Sequence, residues 1–146
     1  PKDVLIRLIG TGVRPIVAVA EQHRSIRKVL IAYNGSMESA KAMKRFVQMR
    51  TWPDVRLEIV TFGFAPEERG QLLDDAANYC RAHGYVVDTE GREGSARHEL
   101  LELAESSACD LIVLGSTSRP RILKRIMGDT AYQAIRHSTI PLFLAQ

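Results

Sequence analysis

Cysteine is scarce in this chain: Cys80 and Cys109 are the two in 146 residues, each isolated in an apolar-patterned segment. That excludes a small scaffold stapled by several disulfides, and the pair reads as buried thiols of a reducing compartment, with the cytoplasm as the expected location. Long apolar runs are missing too. The longest, around Asp110–Leu114, falls far short of the ~18 residues of a membrane span, so no membrane partner is expected. No signal peptide is visible, and a chain starting at Pro1 rather than methionine is read as a fragment or a processed product. Charge of one sign is not in excess. With 20 basic and 17 acidic residues the net charge is +3, too little to imply nucleic acid without a concentrated basic face.

Catalytic signatures are equally sparse. Nothing matches the phosphate-binding G-x4-G-K-(S/T) loop, and neither Ser36 nor Ser116 sits in a G-x-S-x-G elbow. The histidines His23, His83, His98 and His137 are scattered. His98 and Glu102 share a helix face, but no third ligand is placed for a metal. No acid–base pair has a persuasive spacing, so the expectation is a protein that is not an enzyme.

What is present is an ordinary globular composition, 45% hydrophobic and 25% charged, of a length suited to one domain. Five short apolar runs read as strands: Val29–Tyr33, Val55–Phe62, Tyr85–Thr89, Leu111–Leu114 and Ile140–Leu144. Segments of helical period separate them. Glu38–Met49 would bury Ala42, Phe46 and Met49, and Glu67–His83 carries Leu72, Leu73, Ala76, Ala77 and Cys80 before a Gly84 C-cap. Ala96–Ala108 carries Leu100, Leu101, Leu103 and Ala104, and Asp129–Ser138 carries Ala131, Ala134 and Ile135. Trp52 and Pro53 end the first long helix, and Gly91 and Gly94 read as a turn. Strict alternation of strand and helix predicts a doubly wound α/β fold, a five-stranded parallel sheet with helices on both faces. The first and fourth strands, nearly continuous apolar runs, are expected at its centre, in the order 3-2-1-4-5. The second strand alternates, with Arg56 and Glu58 between apolar residues, which suits a place nearer the edge.

Residues 1–27 stand apart from this 28–146 domain. They hold one helical stretch, Asp3–Ile9, and one strand, Ile16–Ala20. Asp3 precedes Pro15 by the same interval as Asp129 precedes Pro141, and each proline leads a short apolar strand. The pattern is a short internal repeat, an extra helix and strand like the end of a preceding domain, followed by the polar linker Glu21–Lys28.

In an open parallel sheet ligands bind beyond the carboxyl ends of the strands, where the strand order reverses. Two loops would line that crevice: Asn34–Gly35–Ser36, and the long stretch from Gly115 to Gly128. The second carries Arg119, Arg121, Lys124 and Arg125 and ends at a helix start, a place that favours an anion. A solvated basic loop is the alternative. Ser36 is also suited to cap the helix that follows it.

The run LIVLGS, the long loop, Gly128 with its helix, the Pro-led last strand, VLIAYNGS after the first strand and EGREG before the third helix together resemble the universal stress protein family. The resemblance covers Arg27 to Ala145, and the N-terminal piece looks like the closing elements of a preceding domain in a tandem member. It implies a stress-response domain of the fold above. Members that bind ATP have an acidic residue after the first strand and G-x2-G-x9-G-(S/T) after the fourth. Here Asn34 stands where the acid is expected. Gly115, followed by Ser116, matches the first glycine; Ser118, next to Arg119, replaces the second; Gly128 matches the third; Asp129, before Thr130, takes the Ser/Thr position. Ser118 adds a side chain where glycine allows close approach. Asp129 brings a carboxylate to a helix N-terminus where a triphosphate would lie. Two like charges ~4 Å apart repel by about 4 kcal/mol at an effective dielectric of roughly 20, enough to weaken binding several hundredfold.

The resemblance thus implies a non-catalytic domain with a degenerate nucleotide site and no bound cofactor. It would act by self-association, or by pairing with a second stress-protein domain through Ile140, Leu142 and Leu144 of the final strand and Ile16–Ala20. The alternative is a sensor of the same family that still binds ATP or AMP. An adenylate-forming enzyme is disfavoured because the segment after the first strand is too short to supply a phosphate loop.

Overall fold

A computed structural model describes residues 15–19, 25–116 and 129–145. The helix expected at Asp3–Ile9 and the basic residues after Ser116 lie outside them. Among the described residues ten elements follow in order: β1 (Ile16–Ala18), β2 (Lys28–Ala32), α1 (Met37–Met49), β3 (Arg56–Phe62), α2 (Pro66–Ala82), β4 (Val86–Arg92), α3 (Ala96–Ser106), β5 (Leu111–Gly115), α4 (Asp129–His137) and β6 (Leu142–Ala145).

Five strands are parallel and β1 is not. The sheet runs β1-β6-β5-β2-β3-β4, with β1 antiparallel to β6. The five parallel strands expected are extended by the extra N-terminal strand, which pairs with the final strand and makes the sheet six-stranded and mixed. The physical reason is the edge of β6, whose backbone groups would otherwise lack partners. Of Ile16–Ala20, the strand itself occupies Ile16–Ala18; Ala20 lies outside the described residues.

Alternate residues of β2, β3, β5 and β6 feed two cores, as a pleated ribbon covered on both faces requires. Val29, Ile31, Leu57, Ile59, Leu111, Val113 and Phe143 pack under α1 and α2. Leu30, Val60, Ile112, Leu114, Leu142 and Leu144 pack under α3 and α4. The chain changes face between β2 and β5, which are hydrogen-bonded neighbours. Their carboxyl ends therefore diverge into helices on opposite sides, and that divergence opens the crevice.

Several local expectations need correction. Met49 does not face the core; it is 54% exposed, and Met43 and Val47 are buried instead. The buried arc of α1 is centred between Phe46 and Met43, which turns Met49 outward. Glu58 is buried: its carboxylate meets Lys28 Nζ at 3.0 Å, and the same ammonium donates to the Ser107 carbonyl at 2.9 Å. The hydrogen bond to Glu58 raises the Lys28 pKa above its usual value. β4 is the edge strand and β3 lies beside it, a place nearer the edge as its alternation suggests. Gly91 is not in a turn but within β4, paired with Thr61. Ile140 precedes β6; its amide is held by the Ser138 hydroxyl at 3.1 Å, and Pro141 separates it from the strand. Trp52 stacks on Phe46 with ring centroids 6.1 Å apart. Gly84 takes φ +89° just past α2, as its C-cap position requires.

Candidate functional site

β2 ends and α1 begins within a few residues, and the turn between them is built from side chains. Asn34 Oδ1 accepts the Ser36 N–H at 3.0 Å and the Ser39 hydroxyl at 2.9 Å. Ser36 is the N-cap, its hydroxyl accepting the Ser39 N–H at 3.2 Å. An Asx residue that bonds the backbone two residues on mimics a turn, which is why Asn34–Gly35–Ser36 folds sharply here. The carboxamide oxygen of Asn34 is thereby committed to the turn.

On the opposite side of the switch point β5 ends at Gly115. A side chain there would put Cβ 2.5 Å from the Glu38 carbonyl carbon and 2.7 Å from the Ser39 nitrogen. The missing side chain lets the end of β5 lie directly on the first turn of α1. Beyond β2, Tyr33 stays attached to β3: its N–H donates to the Val60 carbonyl at 3.0 Å, and its own carbonyl accepts the Thr61 hydroxyl at 2.7 Å. Burial, then the charge of Asp75, raises the Tyr33 phenol pKa.

These elements enclose a cleft of about 460 Å³ at the carboxyl ends of the strands. Ala32, Val60 and Leu114 give it apolar surface, and Tyr33, Phe62 and Phe64 give it aromatic rings. Ser36, Glu38 and Ser39 come from the start of α1, Ser95, Ala96 and Arg97 from the start of α3, and Thr130 from the start of α4. Three helix N-termini thus converge on one apolar-floored crevice. Their leading N–H groups and dipoles favour an anion, and the floor favours a planar apolar body.

Among the residues expected at the site, Asn34, Gly115 and Thr130 are brought together in the cleft wall. Ser116 is not: it is buried and donates to the Ala145 carbonyl at 3.3 Å, fastening β5 to β6. Ser118, Arg119 and Gly128 lie outside the described residues, as does the side chain of Asp129, whose backbone opens α4. Sequence reasoning missed Tyr33, Phe62, Phe64, Ser95 and Arg97. The rule that ligands sit at strand ends applies to β3 and β4 as much as to β2 and β5, and that signal would have found them. Among the described residues no group of three or more His, Cys, Asp or Glu is placed to hold a metal. Nor is any helix among them long and apolar enough to cross a membrane.

With this geometry in view, the sequence profile of the universal stress protein family matches residues 63–146. The chain belongs to the universal stress protein family. A universal stress protein from Synechocystis sp. is 28% identical over 138 residues, covering 93% of this chain and 48% of that protein. The chain spans about half the length of the first curated relatives it matches. Among solved structures, a universal stress protein from Archaeoglobus fulgidus superposes with a TM-score of 0.78 at 19% identity, over 99% of this chain and 56% of that one. A universal stress protein in complex with cAMP superposes with a TM-score of 0.72 at 23% identity, over 84% of this chain and 98% of that one. At these identities the likeness establishes the universal stress fold.

Proposed function

We propose that this universal stress domain is a non-catalytic binding module whose cleft takes an adenine nucleotide carrying one phosphate, AMP or cyclic AMP, and disfavours ATP. The observation that supports it is the make-up of the cleft wall: the aromatic residues Tyr33, Phe62 and Phe64, together with the starts of α1, α3 and α4. A flat base suits the first and a single phosphate suits the second. The solved relative holding cAMP supports the same ligand class. Asp129 is the discriminator. It is the first residue of α4, at the position where ATP-binding members carry Ser or Thr, and its negative charge would oppose a longer phosphate chain. This is the sense in which the site is degenerate: it has lost the polyphosphate arm.

Calorimetry with AMP, cyclic AMP and MgATP tests the reading. The expected result is that AMP or cyclic AMP binds roughly tenfold or more tightly than MgATP, which corresponds to about 1.4 kcal/mol. The double change Ser118→Gly, Asp129→Ser narrows the gap. Equal or tighter binding of MgATP by the unaltered chain overturns the reading.

A second role, association, is favoured by the register of β1. Ile16 lies opposite Leu144, Val17 opposite Phe143 and Ala18 opposite Leu142. Aligning the two helix–Pro–strand copies on Pro15 and Pro141 makes Val17 the counterpart of Phe143. The pairing is therefore symmetric about that pair of equivalent residues. A local two-fold axis of this kind is the signature of two like domains meeting edge to edge. The outer edge of β1, where Val17 is 39% and Val19 79% exposed, is then the place where a second stress-protein domain continues the sheet.

A further inference from the structure

The link from β3 to α2 is unusually tight. Pro66 opens the helix and confines Ala65 to extended backbone, at φ −66° and ψ 149°. The chain must therefore reverse in the two residues before it, and both take the left-handed conformation: Gly63 at φ +77° and Phe64 at φ +63°. For glycine this is free; for a bulky L-residue it is a strained outlier. Phe64 gains no compensating burial. It is 45% exposed, and it is one of the residues that line the cleft.

The turn is held from outside. The Gly63 N–H donates to the Arg92 carbonyl at 2.8 Å, and Arg69 Nη1 lies 3.4 Å from the Gly63 carbonyl oxygen. To reach that carbonyl, the Arg69 stem crosses β4 at Gly91. A Cβ on Gly91 would fall 2.5 Å from Arg69 Nε and 2.9 Å from its Cδ. A glycine inside an edge strand forfeits packing and backbone entropy, and here its vacancy is filled by the arginine. Gly91, Arg69 and Gly63 form one strut that ends at Phe64.

We infer that Phe64 is the residue on which the base of a bound nucleotide stacks, and that Arg69, seated across Gly91, is the positioning residue that keeps the strained Phe64 aimed at the cleft. The inference rests on the nucleotide reading above and adds to it the ring that recognises the base. Strain at an exposed aromatic residue bordering a crevice is maintained by neighbouring structure, here the strut, for the sake of a ligand face.

The test uses the whole chain, with AMP and ribose 5-phosphate as probes; the second has the sugar and phosphate without the base. Phe64→Ala and Phe64→Gly are expected to weaken AMP binding roughly 5- to 150-fold, the range measured for loss of a stacking aromatic. Phe64→Trp retains it, and none of the three alters the response to ribose 5-phosphate. Phe64→Gly is expected to melt above Phe64→Ala, because glycine alone relieves the positive φ. Arg69→Ala and Gly91→Ala weaken AMP binding in the same direction. If the unaltered chain binds AMP and Phe64→Ala binds it equally well, stacking on Phe64 is overturned while the nucleotide reading stands. If Arg69→Ala binds AMP as the unaltered chain does, or the two Phe64 variants melt together, the strut is overturned. If the unaltered chain binds neither AMP nor cyclic AMP, the nucleotide reading and this inference fall together.

Discussion

Gly115 shows how one residue can serve packing where its motif pointed to a ligand. In sequence it matches the first glycine of a nucleotide-binding pattern, and close approach of a phosphate would be reason enough for it. In the fold its Cα hydrogen faces backbone, not solvent: a methyl group would collide with the Glu38 carbonyl and the Ser39 N–H. Those atoms belong to a helix start already fixed by Ser36 and Asn34, so they cannot retreat cheaply. Gly115→Ala is therefore expected to destabilise the domain by ~1–3 kcal/mol, the usual cost of overpacking a close contact. Urea denaturation reads this as a lower midpoint at an unchanged slope. A variant as stable as the parent would mean that β5 and α1 can separate freely. Asn34 and Ser116 carry a related lesson. Both were singled out for the ligand, and both spend their hydrogen bonds on the frame that shapes the cleft.

At the scale of elements, helical and strand periodicity carried most of the fold, because burial on both faces leaves a strong imprint. β2 and β5 are apolar almost throughout and lie at the centre of the sheet. The burial of Glu58 was not legible, because alternation within a strand is the same whether its polar residue meets water or a lysine from the next strand. Met49 was misjudged because a helical repeat fixes a face only to within a residue or so of its centre. The aromatic wall of the cleft was not legible from periodicity, since Tyr33, Phe62 and Phe64 sit at strand ends where no period runs; only the strand-end rule reaches them.

The two helical layers can be probed separately, because each has one buried thiol: Cys80, on the inner face of α2, in the layer of α1 and α2, and Cys109, just past α3, in the layer of α3 and α4. Burial is the main cause in both cases, and it pushes Cys80 from 9.0 up to about 12 and Cys109 up to about 11. A raised folded-state pKa means the folded chain keeps a proton that the unfolded chain releases. The stability tied to these thiols is whole below pH ~9 and falls as pH climbs through each folded-state value. Alkylation of native protein at pH 8 is thus expected to be slow at both positions and to become fast in denaturant. Faster labelling of one cysteine in native buffer would show that its layer opens independently of the other.

For the molecule as a whole, the symmetric register at the β1–β6 seam has a consequence for assembly. β6 is buried along its length, and its outer backbone groups are met by β1 within the same chain. Val17 and Phe143 hold equivalent places in the two strands, so what β6 accepts is a strand like itself, run in the opposite direction. Removing residues 1–25 deletes β1 and leaves that edge bare. The shortened chain can restore its hydrogen bonds by pairing β6 with the β6 of a second copy, Phe143 opposite Phe143, around a true two-fold axis. Exposed parallel-sheet edges rarely stay open, and closure by a second copy costs no new surface. Analytical ultracentrifugation is expected to show the truncated chain passing to twice its monomer mass as concentration rises, with a melting temperature that rises alongside it. In the untruncated chain β1 competes for the same edge and suppresses that transition. A truncated chain whose mass and melting temperature match those of the untruncated chain at every concentration would mean that β1 covers nothing the fold requires, and the case for a second domain at this seam would go with it.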